Sequence, residues 1–138
     1  MRALVQRVSR AEVRVDGEAV ASIGSGLVVL LGVRRGDGPA EAERVARKIR
    51  TLRVFDDAEG KMNEPLGDRE ILCVSQFTLY GDTQKGTRPS YAEAAAPVDA
   101  EPLYESVRSA LDAKGGVFGA RMEVELVNDG PVTVLVET

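Results

Sequence analysis

Two short segments hold the residues best able to do chemistry. Ser75-Gln76-Phe77-Thr78-Leu79 closes an apolar run, and Asn128-Asp129-Gly130-Pro131-Val132-Thr133 lies near the C-terminal end. The chain has no histidine, and Cys73 is its one cysteine. The commonest general base and nucleophile are therefore missing or scarce. Chemistry must come from hydroxyls, carboxylates, backbone groups or the substrate itself. Ser75, Gln76 and Thr78 put two hydroxyls and an amide at a strand end, and backbone N–H groups there are candidate donors to the oxyanion of an acyl transfer. A threonine nucleophile at Thr78 needs a base, and no lysine or carboxylate partner is obvious. The same residues read equally as a strand leaving the core. In the second segment Asn128-Asp129-Gly130 has turn chemistry, and Pro131, lacking an N–H, suits a turn, an edge or a first strand position. The Gly-Pro pair leaves two readings open: a tight hairpin turn, or the cis geometry of about 5–6% of X–Pro bonds.

The elements that position these segments follow from periodicity. Residues 2–8 and 11–15 read as strands, Asp16-Gly17 as a hairpin turn and Glu18 to Ile23 as the returning strand. Leu27 to Val33 is an almost wholly apolar strand. Gly36-Asp37-Gly38-Pro39 opens a helix, with Ala42, Val45, Ala46, Ile49 and Leu52 at helical spacing. Its other face carries Arg44, Arg47, Lys48 and Arg50, either a solvated face or an RNA-backbone contact. Residues 53–55 predict a short strand, 61–68 a loop, 70–79 one strand and 80–90 a polar loop. A second helix follows Val98-Asp99 with Ala100, Leu103, Tyr104, Val107 and Leu111 on one face, and Gly115-Gly116 ends it. Met122, Val124 and Leu126 alternate with charges in one strand, and Val132, Val134 and Val136 alternate in the last. This pattern predicts an α+β fold: a largely antiparallel, curled, barrel-like sheet with two main helices packed on it, in one domain over 1–138.

Composition bounds the function. At 138 residues, 43% hydrophobic and 29% charged, the chain has the make-up of a folded globular domain. No apolar run nears the roughly 20 residues of a membrane helix, and the N-terminus is charged too early for a secretory signal. A cytoplasmic protein with no membrane association is expected. The formal net charge of -4 opposes strong non-specific binding to nucleic acid but leaves room for a local basic patch. Asp56, Asp57 and Glu59 lack the spaced ligands of a calcium loop, and neither metal nor cofactor is expected. Cys73, inside Ile71-Leu72-Cys73-Val74, reads as a buried apolar thiol.

The two opening segments together give the chain a specific resemblance. With Gln6-Arg7-Val8, Leu52-Arg53-Val54-Phe55, Gly60-Lys61-Met62-Asn63, Gly86-Thr87-Arg88-Pro89-Ser90, and Phe118-Gly119-Ala120 followed by Met122, the sequence resembles the D-aminoacyl-tRNA deacylases nearly end to end. The resemblance implies a homodimer with active sites at the interface that hydrolyses the ester of D-aminoacyl-tRNA, and of mischarged glycyl-tRNA. It implies a cis Gly130-Pro131 bond that reaches into the partner's pocket and rejects L side chains by a main-chain wall. Arg7 would brace that loop, with Asn128, Val132 and Thr133 around it. Phe118 and Met122 would seat the terminal adenosine. Ser75, Gln76, Phe77 and Thr78 would hold the scissile ester, with the terminal 2′-hydroxyl of the tRNA assisting hydrolysis. On this reading Gly130→Ala cuts activity and leaves the fold intact. Two departures are visible: a shortened loop at 64–69, and Tyr91 where phenylalanine is common. The competing expectations are Thr78 as a covalent nucleophile, and a non-catalytic dimer that binds tRNA ends through the Arg44–Arg50 face with Lys85 and Arg88.

Overall fold

The computed structural model describes all residues, 1–138. Strand β1 (Arg2–Val15) is the spine, and it pairs along both edges. On one edge its first half pairs antiparallel with β3 (Gly26–Gly32) and its second half with β2 (Glu18–Ile23). On the other edge β8 (Glu123–Glu137) runs antiparallel beside nearly its whole length. Beyond β3 the sheet continues through β6 (Glu70–Ser75) and the short β7 (Lys114–Gly115), both joined in parallel. The sheet is thus mixed, with the expected antiparallel pairs at its centre. A small ribbon of β4 (Phe55–Asp56) and β5 (Met62–Glu64) stands apart.

Helices α1 (Pro39–Thr51) and α2 (Pro97–Ala110) cover one face. On α1 the buried positions are Ala42, Val45, Ala46 and Ile49, four of the predicted stripe; Leu52, the fifth, is the half-buried C-cap. They meet Ala3, Val5, Leu27, Val29 and Leu31 from the sheet and Tyr104 and Val107 from α2 in the main core. A second cluster, built on Val8, Ala11, Val13, Val28 and Leu72, lies on the opposite side. Strand alternation explains the split, because successive side chains point to opposite faces. Ala3 and Val5 face the helices, and Arg7 is next on that face. At Ser9 the strand bulges: Val8 pairs Asn128 and Arg10 pairs Val127, so two residues advance on β1 for one on β8. This irregularity shifts the alternation to Ala11 and Val13, and it is why 2–8 and 11–15 read as separate strands although the chain is continuous.

Other boundaries moved for identifiable reasons. The 70–79 strand stops at Ser75. Gln76 N–H makes the last ladder bond to Leu31 O, 2.7 Å, and Phe77–Tyr80 then coils into a 3-10 turn. Residues 53–55 contribute only Phe55 to a strand, and the 61–68 loop contains β5. Helix α2 starts at Pro97 and ends at Ala110, so Gly115-Gly116 does not stop it. Asp112, at φ 51°, makes the left-handed turn after it. At Gly26 the parallel partner comes so close that a Cβ would lie 1.8 Å from Glu70 O, which only glycine tolerates. Cys73 is fully buried, as expected, and burial pushes its thiol up to about 12.

Candidate functional site

Asn128-Asp129-Gly130-Pro131 is a bulge within one continuous strand. It is neither a hairpin turn nor a gap between two strands. Gln6 pairs with Thr133 and Val8 with Asn128, so a two-residue step on β1 faces a five-residue step on β8. The surplus residues are thrown outward. Gly130 and Pro131 are exposed at its tip, the bond between them is cis, and Gly130 has φ 114°.

Side chains bind this bulge at its base. Asn128 Nδ2 donates to Arg7 O and to Val132 O, both at 3.0 Å, and so spans its two ends. Asn128 Oδ1 accepts from Gln6 Nε2 and Thr133 Oγ1, both at 3.2 Å. Arg7, only 8% exposed, reaches it from the core side. Its Nε donates to Asp129 O at 3.3 Å and lies 3.2 Å from the Asp129 carboxylate. Its guanidinium also donates to Val54 O at 2.7 Å and pairs with Asp56 at 3.3 Å. An arginine at a core-facing strand position must find such partners, because a buried cation without them is strongly disfavoured. The geometry also changes what Gly130→Ala means. A Cβ there would meet Val132 N at 2.9 Å and Arg7 Nη2 at 3.1 Å, so the added methyl presses on the bulge's own supports. The expectation that this variant leaves the fold intact thus carries a local cost at the bulge.

The other predicted residues except Thr78 meet in a separate groove of about 580 Å³. Ser75, Gln76 and Phe77 form one wall, Phe118, Ala120 and Met122 another, and Val33, Ala94, Ala95 and Ala100 give it a mostly apolar floor. The Phe77–Tyr80 turn is fixed from below by Arg2, which donates to Leu79 O at 2.9 Å and stacks over the Tyr80 ring at 4.7 Å. Because Phe77 opens the turn, the N–H groups of Phe77 and Thr78 have no acceptor within it. These are the two orphan donors that open any short helical turn. Thr78 Oγ1 accepts from Gln76 Nε2. No lysine or carboxylate contacts that hydroxyl, and Thr78 does not line the groove. Burial pushes Tyr80 up to about 12 and raises Tyr104 further, so both phenols stay protonated at neutral pH. No three His, Cys, Asp or Glu side chains converge to hold a metal ion. Asp57 is a turn cap, its carboxylate held below the usual range by the Lys61 N–H first and by the Glu59 N–H.

One protomer therefore gathers Ser75, Gln76, Phe77, Phe118 and Met122 into a groove. It gathers Arg7, Asn128, Val132 and Thr133 around an exposed Gly130-Pro131 that does not line that groove. Tyr91 is the aromatic lining residue that the site prediction left out. Its ring packs edge-on against Phe77 at 5.0 Å, and its only sequence signal was a tyrosine in place of phenylalanine. Of the basic α1 face, Arg44 pairs with Glu41, Arg47 with Glu43, and Arg50 donates to Ala110 O, so most of its charge is already engaged.

The family model described as D-Tyr-tRNA(Tyr) deacylase matches residues 4–137. A D-aminoacyl-tRNA deacylase of Anaeromyxobacter dehalogenans is 54% identical, over 100% of this chain and 97% of that protein. One from Carboxydothermus hydrogenoformans is 52% identical, over 99% of each. Among solved structures, a c-Myc DNA unwinding element binding protein superposes with TM-score 0.94 at 44% identity, over 100% of this chain and 99% of that one. A probable eukaryotic D-amino acid tRNA deacylase has the same fold at TM-score 0.77 and 19% identity, over 99% of this chain and 98% of that one.

Proposed function

The chain belongs to the D-Tyr-tRNA(Tyr) deacylase family, and on that premise we propose that it hydrolyses the ester of D-aminoacyl-tRNA to free D-amino acid and tRNA in the cytoplasm. Water adds to the ester carbonyl, the C–O bond to the terminal ribose breaks, and the ribose oxygen leaves with a proton. The observation that carries this reading is the start of the Phe77–Tyr80 turn beside the apolar groove, where the N–H groups of Phe77 and Thr78 have no acceptor within the turn. Such donors stabilise charge that develops on a carbonyl oxygen without a titrating side chain. The resemblance to the family assigns the terminal 2′-hydroxyl of the substrate the role of orienting or activating water, and a chain without histidine is compatible with that role.

Chirality is read by the main chain. The carbonyls of Gly130 and Pro131, brought from one protomer into the groove of its partner, form a wall where an L side chain would lie, and rejection by a wall needs no recognition of the D side chain. Broad tolerance of D residues and hydrolysis of glycyl-tRNA follow. Two features support a partner's involvement: the tip is exposed and clear of its own groove, and Val124, Val127 and Leu135 of the same strand are exposed apolar residues. Phe118 and Met122 seat the terminal adenosine, and Arg7 holds the wall in place.

The test is turnover of D-tyrosyl-tRNA by the wild-type protein, by Thr78→Ala, and on tRNA ending in 2′-deoxyadenosine. The reading expects near-normal turnover with Thr78→Ala and a large loss with the deoxy substrate. An acyl-enzyme trapped on Thr78 would establish the covalent alternative instead. Tight tRNA binding with no turnover would favour the non-catalytic binder.

A further inference from the structure

Most cations of this chain are already engaged by carboxylates or carbonyls. Arg2, Arg7, Arg10, Arg14, Arg34, Arg44, Arg47, Lys61, Arg108 and Lys114 are ion-paired. Arg50, Arg53 and Arg69 donate to backbone oxygens. The side chains left with neither kind of partner belong to Arg35, Lys48, Lys85, Arg88 and Arg121. Three of these, Lys85, Arg88 and Arg121, lie on the two segments that frame the groove.

Arg121 sits between Ala120 and Met122, both of which line the groove, and it is exposed. Lys85 and Arg88 are exposed on the loop that runs up to Tyr91, another lining residue. That loop is closed at its base by two backbone bonds, Asp82 N–H to Ser90 O at 2.7 Å and Ser90 N–H to Asp82 O at 2.9 Å. Tyr91 holds the base against the groove wall through Phe77. The Asp82 carboxylate on the loop is turned to the Gln84 N–H, 2.9 Å away. In a chain of net charge -4, three of the five unpartnered cations thus lie on the two segments that carry groove-lining residues. The groove also exposes two aromatic rings, Phe77 at 55% and Tyr91 at 40%. Free cations interleaved with exposed aromatics are the features by which proteins hold a single strand, charge tracking the phosphates and rings meeting the bases.

We propose that Lys85, Arg88 and Arg121 form a phosphate-holding rim that takes the backbone of the unpaired nucleotides immediately preceding the terminal adenosine. The inference rests on the reading that the groove receives the aminoacylated end of a tRNA. It adds how a net acidic protein holds that end: a few unpaired cations beside the groove, in place of a broad basic face. They are positioning residues, acting on binding and not on the ester.

The test compares the wild type with the triple variant Lys85→Gln/Arg88→Gln/Arg121→Gln, and with Lys48→Gln, a free exposed cation that lines a different groove on α1. The first readout is binding of a single-stranded RNA tetranucleotide ending in CCA, measured by anisotropy between 50 and 200 mM salt. Three phosphate contacts on a single strand contribute a log–log slope of about -2, so the wild type loses about 20-fold more affinity over that range than the triple variant. Lys48→Gln keeps the wild-type slope. The second readout is hydrolysis of D-tyrosyl-tRNA, where KM rises in the triple variant and kcat at saturation is retained. An unchanged slope and KM in the triple variant, or an equal loss of slope in Lys48→Gln, overturns the rim. A wild type that fails to hydrolyse the ester yet shows the predicted difference in slope sinks the hydrolytic reading and leaves the rim standing.

Discussion

Replacing Arg7 by methionine removes the main support of the Gly130-Pro131 bulge while keeping a similar apolar stem. The cost follows from each partner's surroundings. Asp56 and Asp129 are each 57% exposed, so both carboxylates rehydrate and their ion pairs contribute at most about 1 kcal/mol each. Val54 O is different. Its bond to Arg7 is buried, and a buried carbonyl left without a donor costs about 1–3 kcal/mol. The bond to Asp129 O adds roughly 1 kcal/mol. We expect Arg7→Met to lose about 3 kcal/mol. With a urea m-value of about 1.5 kcal/mol/M, the midpoint falls by about 2 M. Arg7→Lys, a single point donor, reaches Val54 O or Asp129 O but not both, and it loses about half as much. Urea unfolding at one fixed protein concentration measures both. The fixed concentration matters because subunit association would contribute to the apparent stability. A midpoint for Arg7→Met within about 0.5 M of the wild type, on the same m-value scale, refutes the reasoning that Arg7 tethers the bulge.

Three further outcomes follow. Gly130→Ala must adopt φ near 114° against Val132 N and Arg7, at about 1–3 kcal/mol, and D-tyrosyl-tRNA turnover falls with it; full activity at wild-type stability contradicts the assigned contacts. Glu12 and Glu125 are cross-strand neighbours of like charge joined by Arg14, and bonds from Arg14 first and Arg10 second hold the Glu125 carboxyl below its usual 4.5. That stability is present above 4.5 and is lost as pH falls through the lower folded value, so the deficit of Arg14→Met against wild type is full at neutral pH and shrinks in acid; a pH-independent deficit refutes it. Cys73, buried and pushed up to about 12, resists iodoacetamide at pH 8 in the folded protein and reacts on unfolding, as mass spectrometry would show.

Local pattern made much of the scaffold legible. The α1 stripe, the Asp16-Gly17 hairpin and the apolar β3 all rest on short-range signals, and the structure keeps them. Long-range geometry was not legible in the same way. Nothing in the spacing of Ile71, Leu72 and Val74 tells a parallel partner from an antiparallel one, and the parallel β3–β6 and β6–β7 pairs came only with the structure. The 70–79 strand was over-read because Phe77, Leu79 and Tyr80 are strand-like residues; the turn is set by the end of the Leu31 ladder and by Arg2, neither of them local. Of the two readings left open for the Gly-Pro pair, the structure has the cis bond and no hairpin turn; residues could not decide between turn and bulge because both use Asn, Asp, Gly and Pro. One signal for it was present: Arg7 falls on the face of Ala3 and Val5, where strand alternation calls for an apolar residue. Of the site, the motifs marked both clusters. The groove's floor of Val33, Ala94, Ala95 and Ala100 looked like ordinary core sequence, because depth is a property of the assembled layers.

The most direct test of the central claim is hydrolysis of matched D- and L-tyrosyl-tRNA under identical conditions. Rapid loss of the D ester with the L ester spared is expected. Hydrolysis of both at similar rates keeps an esterase and removes the main-chain wall, and survival of both contradicts the proposed activity itself.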